Sequence, residues 1–325
     1  MIVTVSPNVA LDRVRVIRGF QPGKQNRALF EFLQPGGSGV HATSVIQSLG
    51  GESIALGLLG GHAGELWETE ADKRGLVYDM ASIPNETRES FCLIDLDQGS
   101  VVESVEEGPE VNPDLKDALL ARLETYLPRA ELLILSGSLP PGLPYDIYSD
   151  MIELARHQNV RTLADIHSEP LRNALPFEPW LIKPNLSEFH ELIGHATRNL
   201  TERIQAGRDF CQRTGVVLVL SMSEDGLLLA TCDEQYLLTP PLIKMHLPDG
   251  LGRNVIGCGD ALVGALAFEY CRSKDLLEAA KLGLAAAHYN LSTFGVPEID
   301  ANKVLGMSER VGFQRINWNN FPKRS

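Results

Sequence analysis

Short apolar runs recur along this chain, each of a length suited to one buried strand, and between them lie stretches whose apolar positions repeat at helical spacing. The runs fall at 53–59, 132–135, 161–164, 180–182 and 216–220, and the helical stretches at 114–127, 145–157, 187–193 and 201–213. Continuous rather than alternating runs predict strands covered on both faces. Such strands alternating with helices predict an α/β fold, a doubly wound and mostly parallel sheet. Residues 14–17 with 28–32, and then 90–96, follow another period. They alternate polar and apolar, as strands with one wet face do. They predict a small antiparallel β lid drawn from roughly 12–34 and 86–104. No repeat, low-complexity tract or long linker interrupts the pattern, so one domain over 1–325 is expected. The tail from Asn302 to Ser325 is weakly patterned and says little.

Composition narrows the class. A chain of 325 residues, 44% apolar and 22% charged, can bury a large core. Its formal net charge is -13 and no Lys/Arg-rich run occurs, so nucleic acid and anionic membranes would meet long-range repulsion. An anionic ligand must therefore be held by local donors. The N-terminus shows no basic segment ahead of a long apolar run, and no stretch of about 18 uncharged apolar residues follows, so a soluble, cytoplasmic protein is expected. Cys92, Cys211, Cys232, Cys258 and Cys271 are scattered without a C-x-x-C pair, and they predict reduced thiols.

The strongest local signal is Gly257-Cys258-Gly259-Asp260, which opens a run of small apolar residues from Ala261 to Phe268. Glycines let successive backbone N–H groups converge, and a helix N-terminus adds partial positive charge, so such a turn can hold a phosphoryl group without a basic side chain. An Asp placed there can take the proton of an attacking hydroxyl while the amides stabilise the transferred charge. The plainer reading is a loop with Asp260 capping the helix.

This context resembles the PfkB/ribokinase family of carbohydrate kinases, whose signature G-A-G-D is followed by a small-residue helix; here Cys258 stands for the Ala. The resemblance runs over most of the chain and is closest to the branch of 1-phosphofructokinases and tagatose-6-phosphate kinases. It is carried by Ser6-Pro7-Asn8-Val9-Ala10-Leu11-Asp12, Asn26-Arg27, Pro35-Gly36-Gly37, Thr87-Arg88, Gly108-Pro109-Glu110-Val111, Ser136-Gly137-Ser138-Leu139-Pro140 and Lys183-Pro184-Asn185-Leu186-Ser187-Glu188. It implies a ribokinase-like fold and transfer of the γ-phosphoryl group of ATP, with Mg²⁺, to a hydroxyl of a hexose or hexose phosphate. Asp260 would be the base, with Gly257, Cys258 and Gly259 supplying the turn. Asp12 would hydrogen-bond sugar hydroxyls, Gly36, Gly37, Ser38, Gly39, His41 and Ser138 would border the substrate, and Arg88 would clamp a substrate phosphate. Lys183, Ser221, Ser223 and Gly226 would lie beside the nucleotide, with Asn290 contacting adenine. Asn185 and Glu188 match the family's N-x-x-E, which orders Mg²⁺ and its waters; they also suit a helix cap. Two lids pairing in a homodimer is the implied assembly.

Several positions depart from the family pattern. G-G-K-G-x-N becomes Gly37-Ser38-Gly39-Val40-His41, which replaces a Lys by Ser38 and an Asn by His41. A Lys lost beside a buried phosphate removes a contact worth roughly 1.5–3 kcal/mol, so a substrate with less anionic charge is expected. A protonated His41 would compensate in part, but a helix N-terminus disfavours the cation, and a neutral hydrogen-bonding or simply packed His is expected. Ser223 replaces a Gly near the nucleotide. Asn254-Val255 replaces the Asp-Thr of members with a monovalent-cation site, so K⁺ dependence of that type is not expected. The thiol of Cys258, at a helix N-terminus, is expected to be acidified. Two other readings compete: a dinucleotide site at Gly37-Ser38-Gly39-Val40-His41-Ala42, which fits G-x-G-x-x-A, and a non-catalytic sugar- or nucleotide-binding regulator on the same fold. ATP turnover separates the second from a kinase.

Overall fold

The structure is a computed structural model that describes residues 1–241, 254–295 and 299–317. In chain order the strands are β1 (Ile2–Ser6), β2 (Ala10–Ile17), β3 (Phe30–Gly36), β4 (Ser53–Leu59), β5 (Tyr78–Ser82), β6 (Arg88–Asp95) and β7 (Ser100–Val105). They continue as β8 (Leu132–Ser136), β9 (Arg161–Asp165), β10 (Leu181–Ile182), β11 (Val217–Ser221), β12 (Leu227–Ala230), β13 (Gln235–Thr239) and β14 (Gly312–Arg315). The helices are α1 (Ser38–Ser48), α2 (Gly61–Lys73), α3 (Leu115–Tyr126), α4 (Ile147–His157) and α5 (Ser168–Ala174). After them come α6 (Leu186–Ile193), α7 (Leu200–Thr214), α8 (Cys258–Ser273), α9 (Leu276–Asn290) and α10 (Ala301–Ser308).

Ten strands form one sheet in the order β14-β13-β12-β11-β10-β9-β8-β1-β4-β5. Pairing is parallel from β11 through β5 and antiparallel from β11 out to β14. Side chains alternate between two cores, as the strand period of two requires. Leu133 and Leu135 face a core with Leu119 and Leu123 of α3, Met151 of α4 and Phe210 of α7. Leu132 and Ile134 face the other, with Val45 of α1, Leu262 and Leu266 of α8 and Ala285 of α9. Burial on both faces is why these strands read as unbroken apolar runs.

The small sheet has the order β3-β2-β6-β7. Its outer pairs are antiparallel, as the alternation predicts, but the central pair β2–β6 runs parallel. The two strands come from separate segments, so no hairpin constrains their direction. Its inner face, with Val14, Val16, Phe32, Cys92, Ile94 and Val101, packs on Ile256 and Phe294. Phe30 meets Phe294 edge to face at 5.7 Å. The tail is not featureless: α10 and β14 lie in it, and residues from 318 onward lie outside the described residues. Among the described residues no helix is long and apolar enough to cross a membrane.

The carboxyl ends of β1, β8, β9, β10 and β11 lead into Ser6, Ser136, Asp165, Lys183 and Ser221. In open α/β sheets ligands bind in the crevice outside these ends.

Candidate active site

The turn at Gly257 makes the site possible. Gly257 caps α8 with φ 74°, in the left-handed region, and Asp260 lies in the first helical turn. Asn290, fully buried, braces the turn from below: its Nδ2 donates to the carbonyl of Ile256 at 2.6 Å and to Cys258 Sγ at 3.4 Å. This corrects its expected adenine contact, since the side chain is spent inside the fold. Asn254 Nδ2 donates to the carbonyls of Thr293 at 3.2 Å and Gly295 at 3.0 Å, which ties the turn to the segment after α9. The Cys258 thiol is not acidified. Burial, with the Asp260 charge beside it, pushes its pKa up to about 11 against the Asn290 bond.

His41 links the turn to the small sheet. Its Nδ1 lies 2.7 Å from Asp260 Oδ2 and its Nε2 lies 3.1 Å from Asp12 Oδ2, all three side chains being nearly buried. Each carboxylate accepts, so both ring nitrogens must donate, and the ring is an imidazolium. Burial pulls its pKa down, yet the bonds and charges of Asp12 and Asp260 outweigh that and raise it to about 10. This corrects the expectation of a neutral His41: two carboxylates prevail over burial and the helix end. Asp12 in turn rests on Gly36, where a Cβ would fall 2.3 Å from its Oδ1.

The raised pKa has a stability consequence. The folded value lies above the ordinary one near 6.5, so the stabilisation is fully present below about 6.5 and is lost as pH rises through about 10. The stability of wild type against urea should therefore fall between about pH 7 and about pH 10 more steeply than that of His41→Asn, which has no such proton. Parallel pH profiles would show that His41 is not charged.

A second charged pair lies under the turn. Lys183 Nζ is 3.0 Å from Asp165 Oδ1, and a Cβ on Gly259 would lie 3.5 Å from that ammonium. Burial pulls the Lys183 pKa down, but the Asp165 charge outweighs it and the ammonium stays protonated; burial lifts the Asp165 carboxyl to about 6. Asp165 went unmarked in the sequence reading, although its place at the end of the apolar run 161–164 was a signal. Nearby, Asn185 caps α6: its side chain accepts from the Glu188 N–H at 3.0 Å while Glu188 Oε2 accepts from the Asn185 N–H at 2.8 Å. The capping reading of these two is thus correct, and among the described residues the other Glu188 oxygen has no hydrogen-bond partner. Ser221 N–H donates to the Pro184 carbonyl at 3.1 Å, which joins the two segments. Ser223 is exposed with φ 53°, a conformation that costs a non-glycine residue roughly 1–2 kcal/mol. Gly226 has φ 87° and no room for a Cβ, which would lie 2.1 Å from the Leu238 carbonyl.

The third group lies at the end of β1. Asn8 Nδ2 donates to Ser138 Oγ at 3.1 Å and to the Glu107 carbonyl at 2.9 Å. Arg88 Nε and Nη2 both donate to the Asn8 carbonyl, at 3.1 and 2.9 Å, and Nη1 donates to the Glu106 carbonyl at 3.0 Å. Those bonds fix the guanidinium, yet among the described residues it has no carboxylate partner. Burial lowers its pKa against the pull of Asp12, Glu103 and Glu106. Ser38 opens α1 behind Gly37, whose φ of 119° requires glycine, and Gly39 packs against Ser6 and Val5. This arrangement also removes the dinucleotide reading. The strand before Gly37 is β3, the edge of the small sheet, not the first strand of a parallel unit.

The model of the pfkB family of carbohydrate kinases matches residues 12–301. The chain belongs to that family. This pfkB kinase is 29% identical over 286 residues to the 1-phosphofructokinase of Bacillus subtilis (strain 168), covering 88% of this chain and 91% of that protein. Among solved structures it is similar to a possible 1-phosphofructokinase of Thermotoga maritima, with a TM-score of 0.87 at 24% identity over 97% of this chain and 99% of that one. It is also similar to phosphofructokinase-2 of Escherichia coli in complex with fructose-6-phosphate, with a TM-score of 0.84 at 23% identity over 95% and 98%. The ribokinase-like fold and the sugar-kinase activity follow from these findings.

Proposed function

We propose that this pfkB kinase transfers the γ-phosphoryl group of ATP, with Mg²⁺, to a hydroxyl of a hexose phosphate, with Asp260 as the base. The observation that carries this reading is the placement of Asp260 in the first turn of α8, beside the turn amides and above Lys183. His41 holds Oδ2 of Asp260, which leaves Oδ1 to accept the proton of the attacking hydroxyl. The turn amides, apart from that of Cys258, which donates to the Val255 carbonyl at 3.4 Å, and the Lys183 ammonium would stabilise negative charge on the transferred group. ATP supplies that group, and Mg²⁺ would offset the charge of its phosphates. Among the described residues no group of three or more His, Cys, Asp or Glu side chains is arranged to hold a metal ion. Mg²⁺ keeps most of its waters and takes few carboxylates, so Glu188 would be the protein's contribution to holding it.

Arg88 supports a phosphorylated substrate over a free sugar, because a desolvated guanidinium without a carboxylate calls for an anion, and its planar fork matches phosphate oxygens. This reverses the weight given above to the missing lysine. A regulator would need neither the base nor the Lys183–Asp165 pair. As for assembly, the outer face of the small sheet carries the pairs Arg13–Glu31, Arg13–Glu89 and Arg15–Glu31, so a homodimer through it would have a polar junction. The reading is tested by ADP release across a panel of hexoses, pentoses, nucleosides and hexose phosphates. Turnover is expected with a hexose phosphate and not with the free sugars; turnover with free hexoses alone would remove the role of Arg88.

A further inference from the structure

Gln34 has no role in the site described so far, yet it is built into it. In β3 it lies directly across from Asp12 in the antiparallel β2–β3 register, so both side chains project from the same face of the small sheet. That face covers the turn at Gly257. Gln34 is 4% exposed, and among the described residues its Nε2 has no hydrogen-bond partner. Buried amide donors are nearly always paired, because an unpaired one loses its bonds to water and gains nothing in return. Gln34 and His41 also border a cavity of about 340 Å³ whose other walls are α1 at Ser44 to Ser48 and the segment after α2 at Arg74 to Leu76. His41 is the residue that joins Asp12 to Asp260, so the unpaired donor borders the bridge between the sugar-binding carboxylate and the base.

We propose that Gln34 is a specificity-determining residue that donates from Nε2 to a neutral oxygen of the acceptor sugar, beside the hydroxyl that Asp12 accepts from. The inference rests on the sugar-kinase reading above. A carboxylate that accepts, next to an amide that donates, matches two adjacent hydroxyls, one giving a proton and the other receiving one. The amide carries no charge, and Asp12 lies beside it, so the group it meets is a hydroxyl or ring oxygen and not a phosphate. The phosphate is left to Arg88 on the other side of Asp12's strand, at the start of β6.

The test compares wild type with Gln34→Leu and Gln34→Glu, using the hexose phosphate that wild type turns over best and its single-deoxy analogues. In Gln34→Leu the KM for the sugar should rise about tenfold or more, with KM for ATP within about twofold and saturated kcat within about threefold. The melting temperature of the ligand-free protein should hold or rise, because an unpaired donor has been removed. The deoxy analogue lacking the recognised hydroxyl should lose its disadvantage in this variant. Gln34→Glu keeps the shape, replaces donor by acceptor, and should raise the same KM. An unchanged sugar KM in both variants would overturn the proposal while wild-type turnover left the kinase reading standing. A fall in melting temperature with both KM values raised together would make Gln34 a packing residue and overturn it equally. Absence of wild-type turnover on every sugar would overturn both.

Discussion

Asp260→Asn should lower kcat by about 10²-fold or more, the scale of general-base catalysis, while ATP binds nearly as before. The substitution keeps the size of the side chain and an oxygen that can accept the 2.7 Å bond from His41 Nδ1. The turn amides and the Lys183 ammonium, on which nucleotide phosphates would rest, are untouched. What disappears is the capacity to take the hydroxyl proton, so the loss should fall on kcat and not on the KM for ATP. Steady-state kinetics and calorimetric titration with ATP check the two halves separately. A kcat within a few-fold of wild type would move the base elsewhere. Weak ATP binding would mean that Asp260 holds the turn together instead of acting on the substrate.

Arg88→Ala should raise the KM for the hexose phosphate by about tenfold to 10²-fold, the range for losing a charge-assisted hydrogen bond of roughly 1.5–3 kcal/mol. The guanidinium is anchored by the carbonyls of Asn8 and Glu106, and among the described residues no carboxylate is bonded to it, so its remaining N–H groups can meet phosphate. Its removal touches neither Asp260 nor Lys183, which lie on other elements, and kcat at saturation should change little. Any slow reaction with the free hexose should be indifferent to the change, since that substrate brings no phosphate. Kinetics on the matched pair of substrates decide the matter. An equal loss on both would make Arg88 a brace for the Asn8 segment.

The sequence is most legible where a single physical cause acts alone. The run 53–59 is β4 (Ser53–Leu59), and 132–135 becomes β8 with one more residue, because a strand buried on both faces is apolar over most of its length. The central strand β1 escaped notice because Thr4 and Ser6 break its apolar run, although both are buried and Thr4 bonds Thr43. The edge strand β14 is exposed along its length and therefore has no apolar period to read. Helices α8 and α9 are buried over most of their surface, so their small residues show little amphipathic pattern.

The chemistry divides in the same way. Asp260 could be singled out because its glycines and helix lie beside it in the chain. The charge on His41 could not, since it depends on Asp12, 29 residues away, and on Asp260, 219 residues away. Cys258 misled for the opposite reason: its local setting at a helix N-terminus is acidifying, and only the three-dimensional structure shows the burial that prevails. Gln34 carries no motif at all. Its unpaired nitrogen is visible only once β3 is laid against β2.

The central claim, that this chain moves a phosphoryl group from ATP to a sugar with Asp260 taking the proton, is tested most directly by ³¹P NMR. Wild type and Asp260→Asn would each be incubated with ATP, Mg²⁺ and the preferred hexose phosphate. The account predicts a new phosphomonoester resonance in the wild-type sample that grows in step with ADP, and almost none from the variant over the same time. ADP released with inorganic phosphate alone, or the same product growing equally fast from Asp260→Asn, would contradict it.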